Sequence, residues 1–234
     1  GALLPGEASL VDFTAASQAR HFNDMLSLID GGEPALEEAR ALLASKVCER
    51  NLDTVRLMAP VPVPRQMYDC LTFEKHLMQA RGNRHLVIGG PPLDLPPPSP
   101  IFKEIPVYYK PNRFGVVGTG EDIIKPRYAQ WLDYELEFGV FLGRSGKDIG
   151  PADAWSHIFG YCIFNDVSAR DQQVREAPAM LGPSKGKDFD TGNVMGPWLV
   201  TRDEIPDPCA LTMSVRVNGE ERCRATSSEM RHSF

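Results

Sequence analysis

Asp133-Tyr134-Glu135-Leu136-Glu137-Phe138 is the stretch on which the reading of this chain turns. Side chains alternate along a β-strand, so Glu135 and Glu137 share one face while Tyr134, Leu136 and Phe138 share the other. Two carboxylates on one face repel each other unless water or a cation screens them. Taken alone, the pair fits a half-buried strand with its polar face in water better than it fits a cation site.

The next informative stretch lies downstream. The apolar run Tyr161-Cys162-Ile163-Phe164 leads into Asn165-Asp166-Val167-Ser168-Ala169-Arg170-Asp171-Gln172-Gln173. Asp166 therefore falls where a strand gives way to a loop, the kind of place where a rigid scaffold presents functional groups. Asp166, Arg170 and Gln173 are spaced i, i+4 and i+7, one face of a helical turn. An Asp cap with an ordinary surface ion pair explains the same spacing. Gly182-Pro183-Ser184-Lys185-Gly186-Lys187-Asp188-Phe189-Asp190-Thr191-Gly192 then places a glycine-flanked lysine in a flexible loop that can reach into a pocket. It is not a phosphate loop, because Asp188 stands where Ser or Thr must follow the lysine. The glycines of Gly115-Val116-Val117-Gly118-Thr119-Gly120 run in the reverse of a dinucleotide fingerprint, and no long βαβ unit surrounds them.

Around these stretches the pattern predicts strands at Val107-Tyr108-Tyr109, Glu135 to Leu142, Tyr161 to Phe164, Pro197 to Val200 and Leu211 to Val217. Asn218-Gly219 closes the last of them as a hairpin, since both residues tolerate the positive φ of a type I′ turn. One short helix is expected around Ala152 to Phe159. Upstream, Phe22, Met25, Leu26 and Ile29 recur at helical spacing before the Gly31-Gly32 stop, and a second helix begins near Pro34. Pro60-Val61-Pro62-Val63-Pro64 is extended, and the proline-dense run from Pro91 to Pro100 is a stiff connector. The expectation is an α+β chain, mostly β. Residues 1–100 form a helical and extended region, and residues 101–234 form the main domain.

Composition narrows the function. With 42% hydrophobic and 24% charged residues the chain is ordinary globular protein, and no apolar run approaches a membrane span. A net charge of −6 disfavours nucleic acid as a partner. Five scattered cysteines, never in a CxxC arrangement, point to reduced thiols in the cytoplasm and away from a disulfide framework or zinc ribbon.

Taken together, the segments resemble the fumarylacetoacetate hydrolase superfamily. The likeness runs from Tyr109-Lys110-Pro111 to Asn218-Gly219-Glu220, and its anchors are Asp133 to Glu137, Asn165 to Asp171, Gly186 to Thr191 and Gly196-Pro197-Trp198, in that order and spacing. The resemblance implies a mixed β-roll core with a small helical amino-terminal region. Relatives continue past the hairpin with further strands, so this chain is expected to lack carboxyl-terminal strands of the domain. It implies Glu135, Glu137 and Asp166 as ligands of Mg²⁺ or a similar ion (Mn²⁺ or Ca²⁺), a hard cation that takes oxygen ligands. Lys187 matches the active-site lysine. Arg170, Gln173 and Thr191 match substrate-lining positions, and Lys110 is a weaker pocket candidate. Phe73-Glu74-Lys75-His76 resembles a lid segment whose histidine is a general base; Gln79 stands where several relatives carry a glutamate.

The activity so implied is metal-assisted hydrolysis of a C–C bond in a small acylpyruvate-like or fumarylacetoacetate-like 1,3-diketo acid, by a homodimer. The same enolate chemistry would also serve a 2-oxo acid decarboxylase, hydratase or isomerase, and the Gln79 departure adds weight to these. A fold relative that has lost its chemistry and acts as a binding module is the reading from another class.

Overall fold

The computed structural model describes residues 1–6 and 8–234. At the amino-terminal end, β1 (Ala2–Leu3), β2 (Ser9–Val11) and β3 (Glu49–Asn51) form a small antiparallel sheet in that order. Asp12 caps α1 (Phe13–Ala16) by accepting from the Ala15 N–H, and Asp24 caps α2 (Met25–Ser45) by accepting from the Ser27 N–H. The Gly31-Gly32 stop is real but local. Gly32 takes φ 56°, ψ −147°, so α2 kinks there and resumes with Pro34 in the first turn of its second limb. Leu4, Val11, Phe13, Phe22 and Ala39 close a small apolar cluster beneath this region.

The middle of the chain runs through β4 (Asp69–Leu71), α3 (Glu74–Gly82), α4 (Arg84–Ile88), α5 (Pro100–Glu104) and β5 (Val107–Tyr109). Strands β4 and β5 pair antiparallel with Asp69 opposite Tyr109, so the proline-rich run between them is bracketed by a pair of strands. Then follow β6 (Val116–Val117), β7 (Leu132–Asp133), β8 (Leu136–Leu142), α6 (Pro151–Ala154), β9 (Ile158–Asp166), β10 (Ser168–Ala169), α7 (Arg170–Glu176) and β11 (Asn193–Thr201). The central sheet has the order β6-β11-β9-β8 and is mixed, since β6 lies parallel to β11 while the other pairs are antiparallel.

Strand alternation decides which face is covered. Cys162 and Phe164 of β9 and Met195 of β11 pack against Ile29 of α2 and against Ala59 and Val61 of the extended proline segment. Val61 is 2% exposed and Pro64 is buried while Val63 between them is 45% exposed, so the segment docks along one side only. Each fully buried side chain of this size contributes about 1.5–3 kcal/mol, and the sheet is held to α2 mainly by this layer. The opposite face carries Ile163, 60% exposed, with Phe138 and Tyr161 stacked beside it at 5.1 Å.

Two expectations about fold class are corrected. The chain is not mostly β: helix makes up 33% of it and strand 25%. The excess lies in short helices such as α3, α4 and α7, and in single 3₁₀ turns. These are too short and too polar to show an apolar 3.6 period, so sequence patterning passes over them. Nor are the carboxyl-terminal strands missing. Strands β12 (Thr212–Val217) and β13 (Glu220–Thr226) pair as a hairpin through Asn218 (φ 52°) and Gly219 (φ 83°). Beyond it, the Arg231 N–H donates to the Thr72 carbonyl, and the Phe234 ring lies 5.5 Å from that of Phe138.

Candidate active site

Three strand ends meet at one point. Asp166 is the last residue of β9 and is fully buried, with Asn193 of β11 opposite it. Glu137 sits on β8, in register with Phe164. Asp69 opens β4, and its partner across the ladder, Tyr109, donates its hydroxyl to Asp166 Oδ2 at 2.6 Å. One carboxylate oxygen each from Asp69, Glu137 and Asp166 lie within 4.8 Å of one another.

Glu135 stands beside this cluster, ringed by Lys187, Arg170 and His76. Its Oε2 accepts from Lys187 Nζ at 2.7 Å, and its Oε1 lies 2.8 Å from Arg170 Nη1 and 3.3 Å from His76 Nε2. Lys187 Nζ also donates to Asp166 Oδ2 at 2.5 Å, which ties the two carboxylates together through a buried ammonium. Arg170 in turn donates to Asp133 Oδ2 from Nε at 2.8 Å and to Gln173 Oε1 at 3.0 Å. Of the residues singled out in the sequence, Glu135, Glu137, Asp166, Arg170, Gln173, Lys187 and His76 thus converge.

Two others stand apart from that network. Thr191 accepts the Ile124 N–H at 2.8 Å and holds φ 66°, a left-handed conformation that costs a β-branched residue about 1–3 kcal/mol. Lys110 is exposed, with its ammonium 5.7 Å from the centre of the Tyr68 ring. Gln79 is exposed on α3, and the carboxylate that meets His76 is Glu135. Neither Asp69 nor Tyr109 is among the site residues expected from the sequence. The only sequence signal for Asp69 is an isolated acid in a short apolar run seven positions before His76.

The electrostatics divide the four acids. Burial works against ionising Glu135, but His76, Lys187 and Arg170 outweigh it and hold its carboxyl well below the usual range. Burial pushes Asp69 up to about 7, helped by the charges of Asp166 and Glu135. Burial likewise raises Glu137 well above its ordinary value, with Asp69, Asp166 and Glu135 adding to it. Asp166 is raised by burial despite the Lys187 charge. Lys187 is held protonated, since Glu135 and Asp166 overcome the burial that opposes its charge.

These residues fit a hard divalent cation. The donors are all carboxylate oxygens, and Asp166 Oδ1 is buried with no hydrogen-bond partner, an expensive vacancy unless something positive faces it. An excess of buried carboxylate that holds protons near neutral pH is also what a cation would relieve.

A pH dependence follows. The raised groups bind protons more tightly folded than unfolded, so the metal-free fold loses stability as pH rises from the ordinary carboxyl range to about 7. A cation must displace those protons. Mn²⁺ affinity is therefore expected to fall as pH drops below about 7, with protons released on binding. Titration calorimetry at pH 6 in buffers of different ionisation enthalpy measures that release; equal heats in all buffers would contradict it.

The chain is also similar to known proteins. The profile of the family "Fumarylacetoacetate (FAA) hydrolase C-terminal" matches residues 72–234. Oxaloacetate tautomerase YisK of Bacillus subtilis (strain 168) is 35% identical over 184 residues, covering 77% of this chain and 54% of its own length. The human mitochondrial oxaloacetate tautomerase FAHD2A is 31% identical over 197 residues, covering 84% of this chain and 56% of its own. The chain thus spans about half the length of these curated relatives. Maleylpyruvate hydrolase from Sphingobium sp. SYK-6, solved in complex with manganese(II) and pyruvate, superposes with a TM-score of 0.72 at 20% identity. The match covers 98% of this chain and 74% of the other, and it is a likeness of fold.

Proposed function

This chain belongs to the fumarylacetoacetate hydrolase family, and we propose that it is a divalent-metal-dependent enzyme that shifts a proton between the enol and keto forms of a small 2-oxo acid such as oxaloacetate. The observation that carries the reading is the oxygen-only cluster of half-buried Asp69 and Glu137 with fully buried Asp166, one Asp166 oxygen unpartnered, set beside a buried lysine ammonium. A divalent cation (Mg²⁺ or Mn²⁺) held by these three, with Glu135 alongside, supplies Lewis-acid stabilisation of an enolate. Manganese bound by a fold relative supports that choice of ion class.

The chain's own residues would do the rest. Lys187 stabilises negative charge developing on the substrate carbonyl. His76, on the short exposed α3, moves the proton between oxygen and the adjacent carbon, and the 3.3 Å contact with Glu135 orients its ring. Gln173 adds a hydrogen bond. Arg170 holds Glu135 and Asp133 in place. Thr191, on the strained turn after Lys187, and Lys110 complete the substrate side of the proposal. Reduced thiols, free in all five cysteines, accord with the proposed cytoplasmic enzyme, and a homodimer is the working form we propose for it. None of the helices is long and apolar enough to cross a membrane among the described residues.

C–C hydrolysis, the first expectation from sequence, would instead need His76 to activate a water. Two relatives at 31% identity or better that are named tautomerases move the balance to isomerisation. Mixing the Mn²⁺-loaded chain with oxaloacetate and following the enol absorbance separates the readings. Faster decay without CO₂ or shorter acids supports the tautomerase. Cleavage of an acylpyruvate into two acids, with no effect on the enol, supports the hydrolase and defeats this proposal.

A further inference from the structure

Lys187 is carried by a loop that leaves α7 at Glu176 and returns at Ser184. Its tip is solvent-bound: Met180 is 93% exposed and Leu181 91% exposed. The exposed tip contributes nothing that would hold the base of the loop in place, and Lys187 lies only a few residues past that base. It must still set its ammonium within hydrogen-bond reach of two particular carboxylates.

Two side chains hold the base: the Tyr128 hydroxyl donates to the Lys185 carbonyl at 2.8 Å, and Glu176 holds the residues on either side of Lys185. Glu176 Oε1 accepts the Ser184 N–H at 2.7 Å and the Gly186 N–H at 3.0 Å. Its Oε2 accepts the Ser184 hydroxyl at 2.9 Å, with Gln172 Nε2 at 3.4 Å. These bonds hold the Glu176 carboxyl below its usual range against the opposing effect of partial burial. Beyond the staple, the Ser184 carbonyl accepts the Lys187 N–H at 2.9 Å, and the Gly186 carbonyl accepts the Ala169 N–H at 2.8 Å. Gly186 is pressed against α7 so closely that a Cβ there would lie 2.8 Å from the Gln173 Cα. Glu176 therefore bonds the two amides at the residues that fix where the Lys187 backbone turns.

From this we infer that Glu176 is a positioning residue: it staples the Ser184–Gly186 backbone to the end of α7, fixes the reach of Lys187, and isolates the site from motion of the Met180-Leu181 tip. The inference rests on the reading of Lys187 as a substrate-facing ammonium. It needs the acceptor oxygens of residue 176 in place, and not its charge, because both backbone bonds end on one oxygen.

The test uses the full chain labelled with ¹⁵N at lysine. The buried, ion-paired Lys187 ammonium should give a slowly exchanging NMR signal in metal-free protein, identified by its loss in Lys187→Met. In Glu176→Ala that signal is expected to broaden away. The kcat for enol oxaloacetate with Mn²⁺ should fall about 10-fold, with KM and Mn²⁺ affinity within about twofold, as for a displaced catalytic group. Glu176→Gln, which keeps an acceptor oxygen, should restore both readings to within about threefold. Met180→Ser with Leu181→Ser should change neither. If Glu176→Ala does not fold, Glu176→Asp, which withdraws the oxygens by one methylene, must weaken the Lys187 signal.

An unchanged signal in the Ala or Asp variant overturns the inference. So does a Gln variant as damaged as the Ala variant, or loss of the signal in the tip variant. Should the wild-type chain not turn over oxaloacetate, the tautomerase reading fails, but the NMR signal still decides the role of Glu176.

Discussion

Lys187→Met is expected to lower enol–keto turnover about 10²–10³-fold, the cost of removing a donor aimed at developing negative charge, and to destabilise the metal-free fold. The second effect is the more unusual. The lysine side chain is 4% exposed and pairs with Glu135 at 2.7 Å and Asp166 at 2.5 Å. Removing it leaves two buried carboxylates without their shared cation, and breaking a buried pair in this way costs about 3–5 kcal/mol. A divalent ion at the neighbouring oxygens should recover part of that loss. Urea unfolding with and without Mn²⁺ measures it: the gain in stability on adding metal should be larger in the variant than in the wild type. A variant that keeps full turnover would remove Lys187 from the mechanism. One that loses turnover with no change in stability would mean the ion pairs are not formed in solution.

Asp166→Asn and Asp69→Asn are expected to weaken Mn²⁺ binding by about 100-fold or more each, since an amide oxygen carries no charge for a hard cation. The two positions bear on the site differently. Asp166 is fully buried with one oxygen bonded by Tyr109 and Lys187 and the other unpartnered, so its variant keeps much of the local hydrogen bonding while losing the ligand. Asp69 holds a carboxyl raised to about 7, so its neutral replacement relieves repulsion and should raise metal-free stability near neutral pH. Electron paramagnetic resonance of free Mn²⁺ during titration reads the affinity directly. Unaltered binding in Asp69→Asn, with loss in Glu135→Gln, would return the third ligand position to Glu135, as the family resemblance first implied.

What the sequence disclosed and what it hid have a physical explanation. Glu137, Asp166 and Lys187 were legible because each sits in a local pattern: an alternating strand, a strand end, a glycine-flanked loop. Their partnership was supplied by the order of several short motifs. Asp69 was not legible, because nothing in its own three-residue strand marks it; it enters only when β4 pairs with β5 and Tyr109 bridges to Asp166. In the same segment the conspicuous charge is Lys110, while the residue that touches the carboxylates is its neighbour Tyr109. The strands of the central sheet and the Asn218-Gly219 turn were readable from period and turn chemistry. The underestimate of helix came from polar pieces such as α7, whose residues are chosen for hydrogen bonds to loops and not for an apolar stripe.

The pairing of β4 with β5 also has a consequence in time. Asp69, Glu137 and Asp166 are distant along the chain, and no two of them share a local element, so an unfolded chain has no compact arrangement of these oxygens to offer a cation. The oxygens come together only when β4, β8 and β9 are all in place, which requires long loops to be closed first. A bound ion would therefore act on the exit from the folded state and hardly on the approach to it, lengthening the lifetime of a finished molecule while leaving the speed of its making almost untouched.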